Sequence, residues 1–152
     1  MGTKYVLFIP QGGINDCFVQ INKIIEYCIV HNRTLLLDFT NSVYKINFSD
    51  YFKIKYTKCN IIYNSNQIKY ICINNKLTVY PKNLNIKLID LFNKKNYFKY
   101  EISHYSCNNI KLDLPDNCNK DIILYSALGG GDGYSVFYKN IYLKNKLKEI
   151  YK

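Results

Sequence analysis

The sequence predicts an α/β fold, a Rossmann-like parallel sheet flanked by helices, and three observations carry that reading. Lys4 to Asp38 runs as apolar strand, glycine loop, amphipathic helix and apolar strand. Asp121 to Gly133 repeats the strand and the glycine loop near the other end of the chain. Of the 152 residues, 48% are apolar and 16% aromatic, which is enough for one domain with a core. The whole chain, 1–152, therefore reads as a single Rossmann-like domain.

The first run, Tyr5 to Ile9, is short and rich in aromatic and β-branched residues, which predicts a buried strand. Pro10 ends it, because proline cannot donate to a sheet ladder. Gly12 and Gly13 allow a sharp turn and bring backbone N–H groups close to a ligand. Asn15 is a good N-cap for the helix that follows. Ile14, Phe18, Ile21, Ile25 and Cys28 recur at helical spacing, with Cys17 and Ile24 beside them, and form one apolar face. Gln20, Lys23 and Glu26 fall largely on the other face. His31 and Asn32 mark the helix end, and Thr34 to Leu37 is the next strand. A strand–helix–strand unit of this length implies a parallel pair with a right-handed crossover.

From Phe39 to Phe52 the residues suggest an irregular segment with a helical turn near Ser49 to Phe52; a plain surface loop is the other reading. Asn60–Tyr63, Lys69–Ile73 and Leu77–Tyr80 read as short strands, with a turn at Asn74-Asn75. A short helix is expected over Lys87 to Phe92. Tyr97 to Tyr100 reads as a strand or as a loop packed on the core, and Pro115-Asp-Asn117 as a turn. Ile122 to Tyr125 is a buried strand by the same logic as the first. It runs into Gly129-Gly-Gly-Asp-Gly133, and the apolar spacing from Val136 to Ile150 then suggests helix to the end, with Asn140 as a weak point.

Ligands of open parallel sheets bind beyond the carboxyl ends of the strands. Gln11 to Asn15 falls there, at a helix N-terminus whose free N–H groups and dipole favour phosphate or carboxylate. Neither the dinucleotide fingerprint nor the P-loop is present, so the glycine pair alone is open to two readings, a ligand loop or a tight turn. If both predicted strands belong to one parallel sheet, the loop around Gly130, Gly131 and Asp132 opens on the same edge. That second loop also reads as a flexible link, with Asp132 as a cap or Asx-turn residue.

Gly12-Gly-Ile-Asn15, followed by a helix and Asn32-Arg-Thr-Leu35, resembles the opening of the GDP-fucose O-fucosyltransferase families. The match covers Val6 to Asp38 and departs from the families at Asp16 and Cys17. The resemblance implies a GT-B glycosyltransferase, with two Rossmann-like domains and the nucleotide-sugar donor bound between them. The chain corresponds to its N-terminal half. By this resemblance Asn15 is the catalytic candidate, facing the reacting sugar or acceptor. Gly12, Gly13, Ile14 and Asp16, together with Gly130, Gly131 and Asp132, are substrate-binding candidates. Asp16 is a candidate base by chemistry alone; an Asp in a first turn is more often there to complement the helix dipole. The families' second domain opens with a His-x-Arg motif whose arginine contacts the donor phosphates. The sequence contains no His-x-Arg. The resemblance thus implies a companion C-terminal half, with no activity in this half alone. It implies no metal and no other cofactor, the donor being GDP-fucose and the acceptor a protein or glycan.

The formal charge is +10, but Arg33 is the only arginine and the lysines are scattered, which disfavours a nucleic-acid partner. The excess of Lys, Asn, Ile and Tyr has the character of an AT-rich genome, as in a large DNA virus or a protist parasite. Six cysteines lack C-x-x-C spacing and accompany only two histidines, so no zinc site is expected. Cys17 and Cys28 are expected as packed thiols. No apolar run reaches membrane-spanning length and no signal peptide is read, so a cytoplasmic location is expected, in the host cytoplasm if the source is viral. The competing reading is a non-catalytic nucleotide- or glycan-binding module that kept the fold.

Overall fold

The middle strand, β1 (Tyr5–Phe8), pairs in parallel with β2 (Thr34–Leu37) on one side and β6 (Ile122–Tyr125) on the other. The structure is a computed structural model that describes residues 2–74, 76–82, 84, 87–93, 112–126 and 140–144. Two short strands, β4 (Ile61–Ile62) beside β2 and β5 (Val79–Tyr80) beside β6, complete a five-stranded parallel sheet in the order β4-β2-β1-β6-β5.

Continuous apolar strands are the signature of a sheet covered on both faces. Here alternate residues serve opposite cores, because successive side chains of a strand point to opposite faces. Val6, Phe8, Leu35, Leu37, Ile123 and Tyr125 pack with helix α1 (Ile14–His31). Leu7, Leu36, Ile122 and Leu124 pack on the other face, with Ile68 and Cys72 of α3 (Ser65–Cys72) and with Leu88 and Leu91 of α4 (Leu88–Asn93). The fold class read from the sequence is thus the fold observed.

Helix α1 buries the expected stripe, but Gln20 is buried as well, only 2% exposed. Its Oε1 accepts a hydrogen bond from the Tyr125 hydroxyl of β6, so a polar pair replaces the solvent-facing position expected for it. The helix ends where Asn32 adopts a left-handed conformation with φ 52°, one that asparagine tolerates. Arg33, 5% exposed, donates to the Tyr5 carbonyl at 3.1 Å and the Cys118 carbonyl at 2.9 Å. The only arginine is therefore a brace at the amino edge of the sheet.

The remaining expectations divide. A helical turn, α2 (Phe48–Tyr51), stands where one was expected, and α4 overlaps the Lys87 to Phe92 span expected to be helical, ending one residue beyond it. Lys69 to Cys72, expected as strand, is helix. Asn64 Oδ1 accepts from the Gln67 N–H at 2.9 Å and caps α3, and Ile68 and Cys72 are buried four residues apart while Tyr70 is exposed. Ile141 to Leu143, expected within a terminal helix, is strand β7 (Ile141–Leu143), antiparallel to β3 (Phe52–Ile54) in a separate two-stranded sheet. Asn140, with φ 63°, interrupts helical geometry just before it. Tyr97 to Tyr100 lies outside the described residues, as does most of the span from Val136 to Ile150.

Candidate functional site

At the carboxyl edge of the sheet, the chain leaves β1 through Pro10 and Gln11 and turns at Gly12, where φ is +85°. That backbone is strained for any residue with a side chain, although a Cβ at Gly12 or Gly13 would meet nothing within 4 Å. The requirement at Gly12 is therefore conformational. Gly12→Ala is expected to cost about 1–2 kcal/mol in urea unfolding, since a Cβ pays the left-handed penalty there without meeting a neighbour.

Gly13, not Asn15, is the N-cap of α1, and it has no side chain with which to cap. This corrects the expected capping role of Asn15. Asn15 instead sits in the first helical turn and is exposed, with Ile14 and Asp16 half-buried on either side. The N–H groups of this turn and the exposed Gly12-Gly13 backbone present an open, positively polarised edge. Asp16 lies in the same turn, where its charge complements the dipole.

A tyrosine that sequence reasoning missed holds this loop. The Tyr44 hydroxyl donates to the Gly12 carbonyl at 2.5 Å, and the Tyr44 ring lies 5.7 Å from that of Phe39. The Cys17 thiol donates to the Gln11 carbonyl at 3.5 Å from below. Burial pushes the Cys17 thiol up to about 11 and the Tyr44 hydroxyl up to about 12, so both stay protonated at neutral pH and act as donors, not as bases.

Asp38, at the end of β2, is the second missed residue, and it is fully buried. Its carboxylate accepts from the Asn41 backbone N–H at 3.1 Å and the Asn41 side-chain amide at 2.7 Å; that amide also donates to Ser65 Oγ at 3.0 Å. This network ties the loop after β2 to the start of α3. An acidic residue directly after an apolar strand of a strand–helix–strand unit was the signal available in the sequence. Burial raises the Asp38 carboxyl above its ordinary value of 3.8, although the Asn41 hydrogen bonds pull it down. The native state then holds a proton that the unfolded chain has lost, so stability falls as pH rises from 3.8 through the raised value. Asp38→Asn is expected to flatten that slope, measured as urea midpoints across a pH series.

Of the predicted site residues, Gly12 to Asp16 lie together on the expected edge. Gly130, Gly131 and Asp132 lie outside the described residues. The strand that leads toward them, β6, is the parallel neighbour of β1, with Phe8 opposite Tyr125, so the chain leaves both strands on the same edge. Among the described residues no group of three or more His, Cys, Asp or Glu is placed to hold a metal ion. Nor is any helix among them long and apolar enough to cross a membrane.

No protein-family model and no curated protein matches the chain. Solved structures do. The fucosyltransferase NodZ from Bradyrhizobium superposes with a TM-score of 0.65 at 16% identity, over 99% of this chain and 54% of that one. The chain shares the fucosyltransferase fold. NodZ α-1,6-fucosyltransferase co-crystallised with GDP gives a TM-score of 0.65 at 16% identity, over 99% of this chain and 54% of that one. The same enzyme soaked with GDP-fucose gives 0.61 at 17% identity, over 98% and 53%. The chain thus spans about half the length of the fucosyltransferases it matches. The resemblance at Gly12 to Asn15 and Asn32 to Leu35 and the likeness of the whole fold lead to fucosyltransferases alike.

Proposed function

We propose that the chain is the N-terminal GT-B domain, residues 1–152, of a fucosyltransferase-like glycosyltransferase acting in the cytoplasm. The complete enzyme transfers a sugar from a nucleotide-sugar donor, GDP-fucose, to a hydroxyl of a protein or glycan acceptor. The observation that carries this reading is the Gly12–Asn15 loop, open at the carboxyl edge of a parallel sheet whose fold is shared with NodZ over 99% of this chain. The GDP and GDP-fucose used with two NodZ structures support a guanine-nucleotide donor.

In this reading the acceptor oxygen attacks the anomeric carbon, its proton passes to a base, and GDP departs with the bonding electrons. The Gly12-Gly13 backbone lines the cleft, and Asn15 hydrogen-bonds the reacting sugar or the acceptor. Gly130, Gly131 and Asp132 are the further substrate-binding candidates of this reading. Negative charge on the leaving diphosphate is met by a companion half that carries the His-x-Arg arginine, without a metal ion.

The test is transfer from radiolabelled GDP-fucose to a panel of glycan and peptide acceptors in the presence of a chelator. The purified chain alone is expected to give no transfer, and the chain joined to a His-x-Arg half is expected to transfer with the chelator present. Robust transfer by the chain alone would refute the half-enzyme reading. A joined protein that neither binds GDP nor transfers would refute the glycosyltransferase reading itself.

A further inference from the structure

Three neighbouring strands, in the order β4-β2-β1, each enter the sheet behind a cation. Lys58 precedes Ile61 of β4 by three residues, Arg33 directly precedes Thr34 of β2, and Lys4 directly precedes Tyr5 of β1. Adjacent strands lie about 4.8 Å apart, so the row spans roughly 10 Å. With His31 of the last turn of α1, these side chains line a cavity of about 830 Å³ at the amino edge, the end opposite the glycine loop. Among the described residues no carboxylate lines it.

Arg33 is the buried member of the row, and a buried charge is ordinarily paired with an opposite one. Among the described residues its guanidinium is hydrogen-bonded to the Tyr5 and Cys118 carbonyls only, and no carboxylate is paired with it. Carbonyl dipoles orient the fork without neutralising it. The Lys4 ammonium likewise donates to a carbonyl, that of Asn119, at 2.9 Å. Asp121 feels both Lys4 and Arg33, but its carboxylate is already held by the Thr78 N–H at 2.8 Å and hydroxyl at 2.9 Å, and it stands outside the cavity lining. The carboxyl end of α1 faces the recess too, yet it carries only about half a negative charge. Against one full positive charge on each of Lys4, Arg33 and Lys58, that leaves the recess strongly positive.

We propose that this recess binds a small polyanion carrying two or more phosphate groups, pyrophosphate or a sugar bisphosphate, with Arg33 at its centre and Lys58 and Lys4 at its ends. The guanidinium, held by two carbonyls, presents its remaining N–H groups in a fixed fork that suits phosphate oxygens. The two lysines act as point charges on either side. One phosphate cannot reach both ends of the row; two linked phosphates can. The volume falls within the roughly 300–1,000 Å³ of small-molecule sites. Among the described residues no Phe, Tyr or Trp lines the recess, so a nucleobase finds no stacking platform there. Asn32 and Asn60, also in the wall, offer amides to sugar hydroxyls.

The experiment titrates the full chain with pyrophosphate, fructose bisphosphate and inorganic phosphate at constant ionic strength, read by calorimetry and by backbone amide shifts. The two diphosphates are expected to bind, and inorganic phosphate to bind about tenfold more weakly, having lost one charged contact. Shifts are expected at the amides of Lys4, Thr34 and Asn60, with Gly12 and Gly13 unmoved. Lys58→Gln and Lys4→Gln are each expected to weaken pyrophosphate about tenfold. Lys58 is exposed, so Lys58→Gln is expected to keep the wild-type Tm without ligand. Lys76→Gln, exposed and outside the recess, is expected to change nothing. Tighter binding of fructose bisphosphate than of pyrophosphate assigns the site to a phosphorylated sugar; the reverse assigns it to inorganic diphosphate. The proposal is overturned if neither diphosphate binds at millimolar concentration. Equal weakening by Lys76→Gln and Lys58→Gln would overturn it as well, since diffuse surface charge would then be the cause. Shifts at Gly12 and Gly13 in place of Thr34 and Asn60 would also overturn it, while leaving the nucleotide-sugar reading of the opposite edge intact.

Discussion

Phe48→Ala is expected to destabilise the protein by roughly 3–5 kcal/mol, the cost of removing a buried aromatic ring and leaving its cavity. Phe48 is 1% exposed and stands at the centre of an aromatic group. Its ring lies 5.0 Å from Phe39, 5.2 Å from Phe52 and 5.5 Å from Tyr63, the last stacked at 9°. Phe39 follows β2, Phe52 opens β3 and Tyr63 follows β4, so one ring binds three segments to the sheet. The same group supports the site, because Phe39 carries Tyr44 and Tyr44 holds the Gly12 carbonyl. Urea unfolding gives the stability change, and hydrogen exchange at the amides of Gly12 and Gly13 gives the effect on the loop. Phe48→Leu keeps much of the volume and is expected to lose less than half as much. A loss below 1 kcal/mol for Phe48→Ala would show that the aromatic group repacks freely.

The sheet was legible because its strands are buried on both faces. Val6 to Phe8, Leu35 to Leu37 and Ile122 to Tyr125 need unbroken apolar runs, and such runs stand out from a lysine- and asparagine-rich background. α1 was legible because one face of eighteen residues is apolar at helical spacing. Short elements were not. Lys69-Tyr-Ile-Cys72 has the composition of a strand, and only the cap at Asn64 and the burial of Ile68 with Cys72 make it a helix. Ile141 to Leu143 is a strand because β3, far away in sequence, offers it an edge, and no local pattern reports such a partner. At the site, the glycine loop was found by its spacing and by family resemblance. Tyr44 was missed because its bond to Gly12 spans thirty-two residues of irregular chain. Gln20 was missed because a polar residue on a helix reads as solvent-facing unless its buried partner, Tyr125, is known.

Asn15→Asp and Asn15→Ala are expected to lower sugar transfer about a hundredfold in the two-domain enzyme proposed above, the scale of losing one donor at a site of developing negative charge. The structure sharpens the test. Gly13 is the cap, so the Asn15 side chain is not needed to start the helix. It is exposed in the first turn, and surface substitutions of that kind usually stay within about 0.5 kcal/mol. Asn15→Asp adds a negative charge at the positive end of the helix dipole, which is expected to stabilise the fold by about 0.3–1 kcal/mol. Stability and activity are thus predicted to move in opposite directions for Asp. A role in helix initiation cannot produce that result. A role in the cleft does: a carboxylate replaces a neutral donor and acceptor beside a diphosphate sugar, and repels it. The measurement is melting temperature and transfer rate from GDP-fucose for both variants, in the chain joined to its His-x-Arg half. Wild-type transfer in both would remove Asn15 from the site and leave the Gly12-Gly13 backbone as its only contribution from this loop.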